Sequence, residues 1–150
     1  MEEVKTLNEQ KKEYLRKYQE SVRRVTRIEE ELKEIRAMKM SVSGGNNDGM
    51  PRGSGKGDLS AYVANLDEME RDLIEERYHR IMLYKDIARR IKRLISNKEK
   101  DVLFYRYIKG MEWYEIAEKM NFTERHIHRI HGKALLHFSI PERKDVSECQ

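Results

Sequence analysis

From Lys5 to Met40 the chain contains neither glycine nor proline, and Tyr18, Val22, Val25, Ile28, Leu32 and Ile35 recur along it at steps of three or four residues. That spacing predicts one long helix with a narrow apolar stripe. A stripe so narrow cannot close a core alone, so a second helix has to cover it. Residues 41–57 (SVSGGNNDGMPRGSGKG) are rich in breakers and predict a flexible loop. A second helix is then expected to start at an Asp58 or Ser60 cap. It carries Leu59, Tyr62, Leu66, Met69 and Leu73, continued by Tyr78, Ile81, Ala88, Ile91 and Ile95. Two stripes joined by one loop predict an antiparallel hairpin over residues 1–95, with Arg23, Arg24 and Arg27 facing Asp72, Glu75 and Glu76. The same stripes would equally fit a second chain in a coiled coil, which makes a homo-oligomer through the long helices one expected assembly.

Composition agrees with an all-α fold. Of 150 residues 39% are charged and 38% hydrophobic, with 8 Gly and 2 Pro, too little apolar mass and too few turn residues for a compact enzyme built round a large sheet. The single cysteine, Cys149, excludes an internal disulfide and a cysteine zinc cluster and favours a reducing compartment. No apolar run approaches the ~20 residues of a membrane span, and the amino terminus lacks a secretory stretch. The expected location is the cytoplasm, with no membrane partner.

The net charge of +4 is modest, but it is unevenly spread. Lys85, Arg89, Arg90, Lys92, Arg93, Lys98 and Lys100 face only Asp86 and Glu99 over residues 85–100, whereas acids dominate residues 58–84. Such asymmetry permits a polyanionic partner and is equally the mark of solvated helix faces.

From Ser96 the helices become short. Ser96 and Glu99 form a capping box that opens a helix to Ile108, and Gly110 supplies the left-handed residue that ends it. Met111–Met120 forms a second helix with Trp113, Ile116, Ala117 and Met120 inward. Asn121 turns the chain, and Thr123 caps a third helix to about Phe138. Three short helices with a tight turn before the last describe a helix-turn-helix domain over 96–138, followed by a polar tail, 139–150.

On the last helix Ile127, Ile130, Ala134 and Phe138 share one quadrant and form the expected buried face. Opposite lie Arg125, His128, Arg129 and Gly132, flanked by His126, Lys133 and Glu124. A face of arginine and histidine suits entry into the major groove, where arginine pairs bidentately with guanine and other cations meet phosphate. Arg125, His126, His128 and Arg129 are the expected base-reading residues. Arg89, Arg90, Arg93, Tyr114, Thr123 and Lys133 are the expected phosphate-binding ones.

The run LISNKEKDVLFYRYIKGMEWYEIAEKMNFTERHIHRIHGKALLHF, residues 94–138, resembles region four of the sigma-70 family, the reader of the promoter −35 element. The matching positions are Glu99, Val102, Leu103, Gly110, Glu115, Ile116, Ala117, Met120, Thr123, Ile127, Ala134 and Leu135. With the long helices and the MPRGSG loop, the whole chain is similar to small phage and prophage transcriptional regulators of the ArpU and RinA kind. The resemblance implies a sequence-specific regulator of late genes that binds double-stranded DNA and acts with host RNA polymerase. Two positions depart from the family pattern: Glu112 stands where a Ser or Thr cap is frequent, and Asn121 where Gly is frequent, so a less stable second helix and turn are expected. Nothing resembles sigma region two, so a self-sufficient sigma factor is not expected.

Other sites lose to simpler accounts. GMPRGSGKG puts Met50 and Gly57 where a phosphate loop needs Gly and Ser or Thr, and a linker explains it better. His126, His128, His131 and His137 crowd one helix, yet none are four apart, and no metal site and no cofactor are expected. No nucleophile, base and orienter can be assembled, so no enzyme is expected. Two rivals remain open: a small-terminase-like DNA-packaging subunit, and a protein-binding inhibitor docking on a host factor.

Overall fold

The computed structural model describes residues 2–43 and 55–142, with side chains over 6–39 and 60–142. The architecture is all-α: α1 (Glu2–Ser43), α2 (Gly55–Lys92), α3 (Asn97–Leu103), a π-helical turn (Phe104–Ile108), α4 (Trp113–Met120) and α5 (Glu124–His137). There is no strand among the described residues. Beside the loop both long helices outrun their expected ends, α1 reaching Ser43 and α2 starting at Gly55, whereas α2 stops at Lys92, short of the expected Ile95. Met50, Arg52 and Cys149 lie outside the described residues.

The chain forms two compact units, one of residues 20–81 and one of residues 1–19 with 82–150. In the first, α1 and α2 run antiparallel. Val25, Leu32 and Leu73 are buried between them, with Ile28, Leu66 and Met69 packed alongside. Arg36 pairs with Glu70 and Arg77 with Glu29, both at 2.7 Å. Being exposed, each contributes ~0–1 kcal/mol. Of the expected arginine–acid facing, Arg24–Glu76 is formed, at 2.9 Å. The fully buried Ser21 hydroxyl donates to the same Glu76 oxygen at 2.9 Å.

Glu76 also explains where the expected stripe of α2 goes out of phase. Tyr78 and Ile81, expected inward, are 65% and 48% exposed. The inward line passes instead from Leu73 through Glu76, whose carboxylate can take an inner position because Ser21 and Arg24 satisfy it. Further along α2, Ile87 and Ile91 are buried; beyond its end at Lys92, Leu94 is buried while Ile95, expected inward, is 98% exposed.

In the second unit, Leu15 of α1 and Ile87 and Ile91 of α2 pack with Leu103, Leu135 and Phe138. Residues 1–19 and 82–95 thus share a core with the short helices. A second cluster joins Val102, Ile116, Ala117, Ile127 and Ile130, and this is the contact that holds α4 and α5 together.

The caps are largely those legible in the residues. Ser96 accepts from the Glu99 amide at 3.4 Å and Thr123 from the His126 amide at 3.2 Å. The reciprocal half of the Ser96 box is not formed, because the buried Glu99 carboxylate accepts from His137 Nδ1 at 2.9 Å instead. The first short helix reaches Ile108 as expected, but its last turn widens into π form from Phe104. Gly110 has φ +68°, and a Cβ there would come within 3.1 Å of Gln19, whose Nε2 donates to the Ile108 carbonyl at 2.7 Å. Asn121 takes the left-handed turn conformation, φ 60° and ψ 44°. At Glu112 the missing hydroxyl cap is compensated: its own amide donates to the Glu115 carboxylate at 2.8 Å.

Candidate nucleic-acid interface

The last helix fixes the site, because its two faces have opposite chemistry. Ile127, Ile130, His131, Ala134 and Leu135 are buried. Phe138 is buried as expected, but it is the extended C-cap residue and not part of α5. Arg125, His128, Arg129 and Lys133 are exposed. Among the described residues, no carboxylate lies within ion-pair distance of Arg125, Arg129 or Lys133. Each of these three cations therefore presents its full charge to whatever approaches α5.

Aromatic packing orients the histidines. The His126 ring meets Phe122 edge-on with centroids 4.7 Å apart, and His128 lies against Trp113 at 4.6 Å. His131 is a core residue. Its Nε2 shares a 2.8 Å hydrogen bond with the Tyr107 hydroxyl, and its ring packs edge-on to Trp113. Burial first, then Lys12, His128, Arg106 and Arg16, holds the His131 pKa down at about 4, so the ring is neutral at physiological pH. Burial pushes its partner Tyr107 up to about 12. His128 and His131 thus share the Trp113 ring, and among the described residues no three His, Cys, Asp or Glu side chains converge on a metal position.

The expected phosphate-binding residues fall into two groups. Arg93, Tyr114 and Lys133 are exposed, and Thr123 stands at the exposed start of α5 with its hydroxyl oxygen engaged as the cap. Arg89 and Arg90 both bond to Asp86. Arg89 is open to solvent, whereas the Arg90 side chain is only 13% exposed, and its Nη1 donates to the Ser139 carbonyl at 3.1 Å. Arg90 is therefore built into the fold.

Two cations, Lys98 of the basic stretch and Arg106, are not among the expected DNA-binding residues. Lys98 Nζ stands 5.1 Å from the Phe122 ring centroid, next to His126. The Arg106 guanidinium stacks 4.4 Å over Trp113 and donates to the Met111 carbonyl at 3.0 Å, which orders the segment before α4. Neither has a local signature, since each is defined by an aromatic ring brought in by another element.

Residues 95–137 match the family described as sigma-70, region 4. The C-terminal module is sigma region 4-like. The matched span opens one residue before the Ser96 cap and closes at the last residue of α5, so it coincides with the short-helix module and excludes α1 and α2. The matched family is a DNA-binding one, not a catalytic one. No curated protein and no solved structure matches the chain. No helix among the described residues is long and apolar enough to cross a membrane.

Proposed function

We propose that the chain is a sequence-specific DNA-binding regulator of phage or prophage late transcription, of the ArpU and RinA kind, which acts through its region 4-like module together with host RNA polymerase. The observation that carries this reading is the exposed cationic face of α5 on a helix-turn-helix matched to region 4. In this reading Arg125 and Arg129, with His126 and His128, approach base edges in the major groove. Arg89, Arg93, Lys133, Tyr114 and Thr123 meet phosphates. The ring contacts of His126 and His128 support it, because a side chain held by packing loses less entropy on reading a base.

The test is selection of bound fragments from the genome that encodes the chain, with and without host polymerase. Enrichment of promoter-proximal DNA ahead of late genes is the expected result, stronger in the presence of polymerase. Absence of enrichment in both arms at low salt overturns the proposal. A complex with polymerase that forms without DNA binding assigns the protein-docking role instead.

A further inference from the structure

α1 lies outside the region matched to sigma-70 region 4, yet its first turns are fastened to the recognition helix. Lys11 Nζ donates to the Leu135 carbonyl at 2.6 Å, and Leu15 is buried in the core with Leu135 and Phe138. Around α1, Tyr14 and Tyr18 fall on one side of this buried line. There Tyr14 bonds to Asp86 and Tyr18 packs on Tyr84, so that side belongs to α2. Lys12, Arg16 and Gln19 recur at steps of four and three on the other side. Gln19 there donates to the carbonyls of Ile108 and Tyr107, whose hydroxyl bonds to His131 of α5. This flank of α1 therefore runs beside the Tyr107–His131 contact.

Electrostatics places the same residues together. After burial, the groups that disfavour a charge on His131 are Lys12, His128, Arg106 and Arg16, drawn from α1, α5 and the π-helical turn. Cations of three elements thus lie round His131, with Glu112 3.6 Å from Arg106. Lys12 is bonded to Glu9 at 2.9 Å, while Arg16 is exposed and has no carboxylate within ion-pair distance among the described residues. On α5 itself, Gly132 stands in open space, since a Cβ there would meet no atom within 4 Å.

We propose that α1 extends the DNA interface beyond the helix-turn-helix, with Arg16, assisted by Lys12, binding the phosphate backbone of the duplex that α5 reads. The inference rests on the DNA-binding reading above. A guanidinium on a helix outside the groove makes a sequence-independent contact, so its role is affinity and registration of the duplex and not base choice.

The experiment measures binding of the full chain to a genomic fragment selected as above and to a scrambled duplex of equal length, from 50 to 200 mM salt. Arg16→Gln and Lys12→Gln/Arg16→Gln are compared with Lys33→Gln, an exposed charge in the other unit. Arg16→Gln is expected to lower the slope of log affinity against log salt by about one unit and to weaken both duplexes about equally; the double variant is expected to lower it further. Thermal midpoints within a degree or two of the parent establish that the variants are folded, as expected for an exposed side chain. A wild-type slope in Arg16→Gln, or an equal change in Lys33→Gln, overturns the proposal. So does a loss confined to the selected fragment. If the parent chain binds neither duplex, the DNA-binding reading itself fails, which is a distinct outcome.

Discussion

The ammonium of Lys11, near the start of the chain, donates to the carbonyl oxygen of Leu135 at 2.6 Å, in the last turn of α5. Helix termini leave their final carbonyls without intrahelical partners, and a cation there also meets the negative end of the helix dipole. Burial lowers the Lys11 pKa from its ordinary value, which is the expected cost of holding this cation in the interior. Lys11→Met retains the aliphatic stem and removes the donor. A stability loss of about 1–2 kcal/mol is expected, read as a lower urea midpoint together with faster amide exchange in the last turn of α5. An unchanged midpoint would show that water replaces the bond without loss.

His131 makes stability fall with acid. Its folded pKa of about 4 lies below the ordinary 6.5. The unfolded chain therefore binds the proton first, and the contribution present above pH 6.5 is lost as pH falls toward 4. The full effect is about 3 kcal/mol. Urea titrations at pH 7 and pH 4.5 check it. Replacing the pair together, as His131→Leu with Tyr107→Phe, leaves no orphaned hydroxyl and is expected to remove this component while the carboxylate-dependent part persists.

Arg129→Ala and Lys133→Ala are expected to part company. The first should relax sequence preference and cost ~1–3 kcal/mol on the preferred site alone. The second should weaken all duplexes alike and flatten the salt slope by about one unit. Fluorescence titrations against preferred and scrambled duplexes distinguish them. Identical behaviour of the two variants would remove the distinction between base-reading and phosphate-binding residues on α5.

Arg90→Ala is expected to act on folding. Its guanidinium donates to Asp86 at 2.8 Å and to the Ser139 carbonyl, and it lies 5.9 Å from the Tyr14 ring centroid. Burial alone would raise the Asp86 pKa, but bonds and charge from Arg90 and Arg89 outweigh it and hold the carboxyl below its ordinary value. A loss of about 1–2 kcal/mol in urea unfolding is expected, with the salt slope of DNA binding unchanged. A variant with parental stability and a flatter slope would return Arg90 to the phosphate-binding set.

Where the signal is local, the residues announced the structure. The three-four stripe of Val25 and Leu32, the caps Ser96 and Thr123 and the turn residues Gly110 and Asn121 all depend on neighbours within a few positions. Where a buried group is satisfied from afar, the sequence is silent. Lys11 is polar by type and enters the core because a carbonyl 124 residues away accepts from it. His131 follows the same logic through Tyr107, and Glu99 through His137. The lost phase of α2 after Leu73 has this origin in part: the facing of Arg24 and Glu76 is legible in the charges, but the buried Ser21 hydroxyl that bonds the same carboxylate is not.

That carboxylate has a consequence for how the two long helices choose their alignment. Aliphatic contacts repeat every seven residues and tolerate sliding by one repeat, whereas Glu76 finds a hydroxyl and a guanidinium together at Ser21 and Arg24. A heptad slide that sets Ile28 and Glu31 opposite Glu76 would replace that hydroxyl and guanidinium with a hydrocarbon side chain and a second carboxylate. One glutamate thereby acts as the vernier mark of the hairpin.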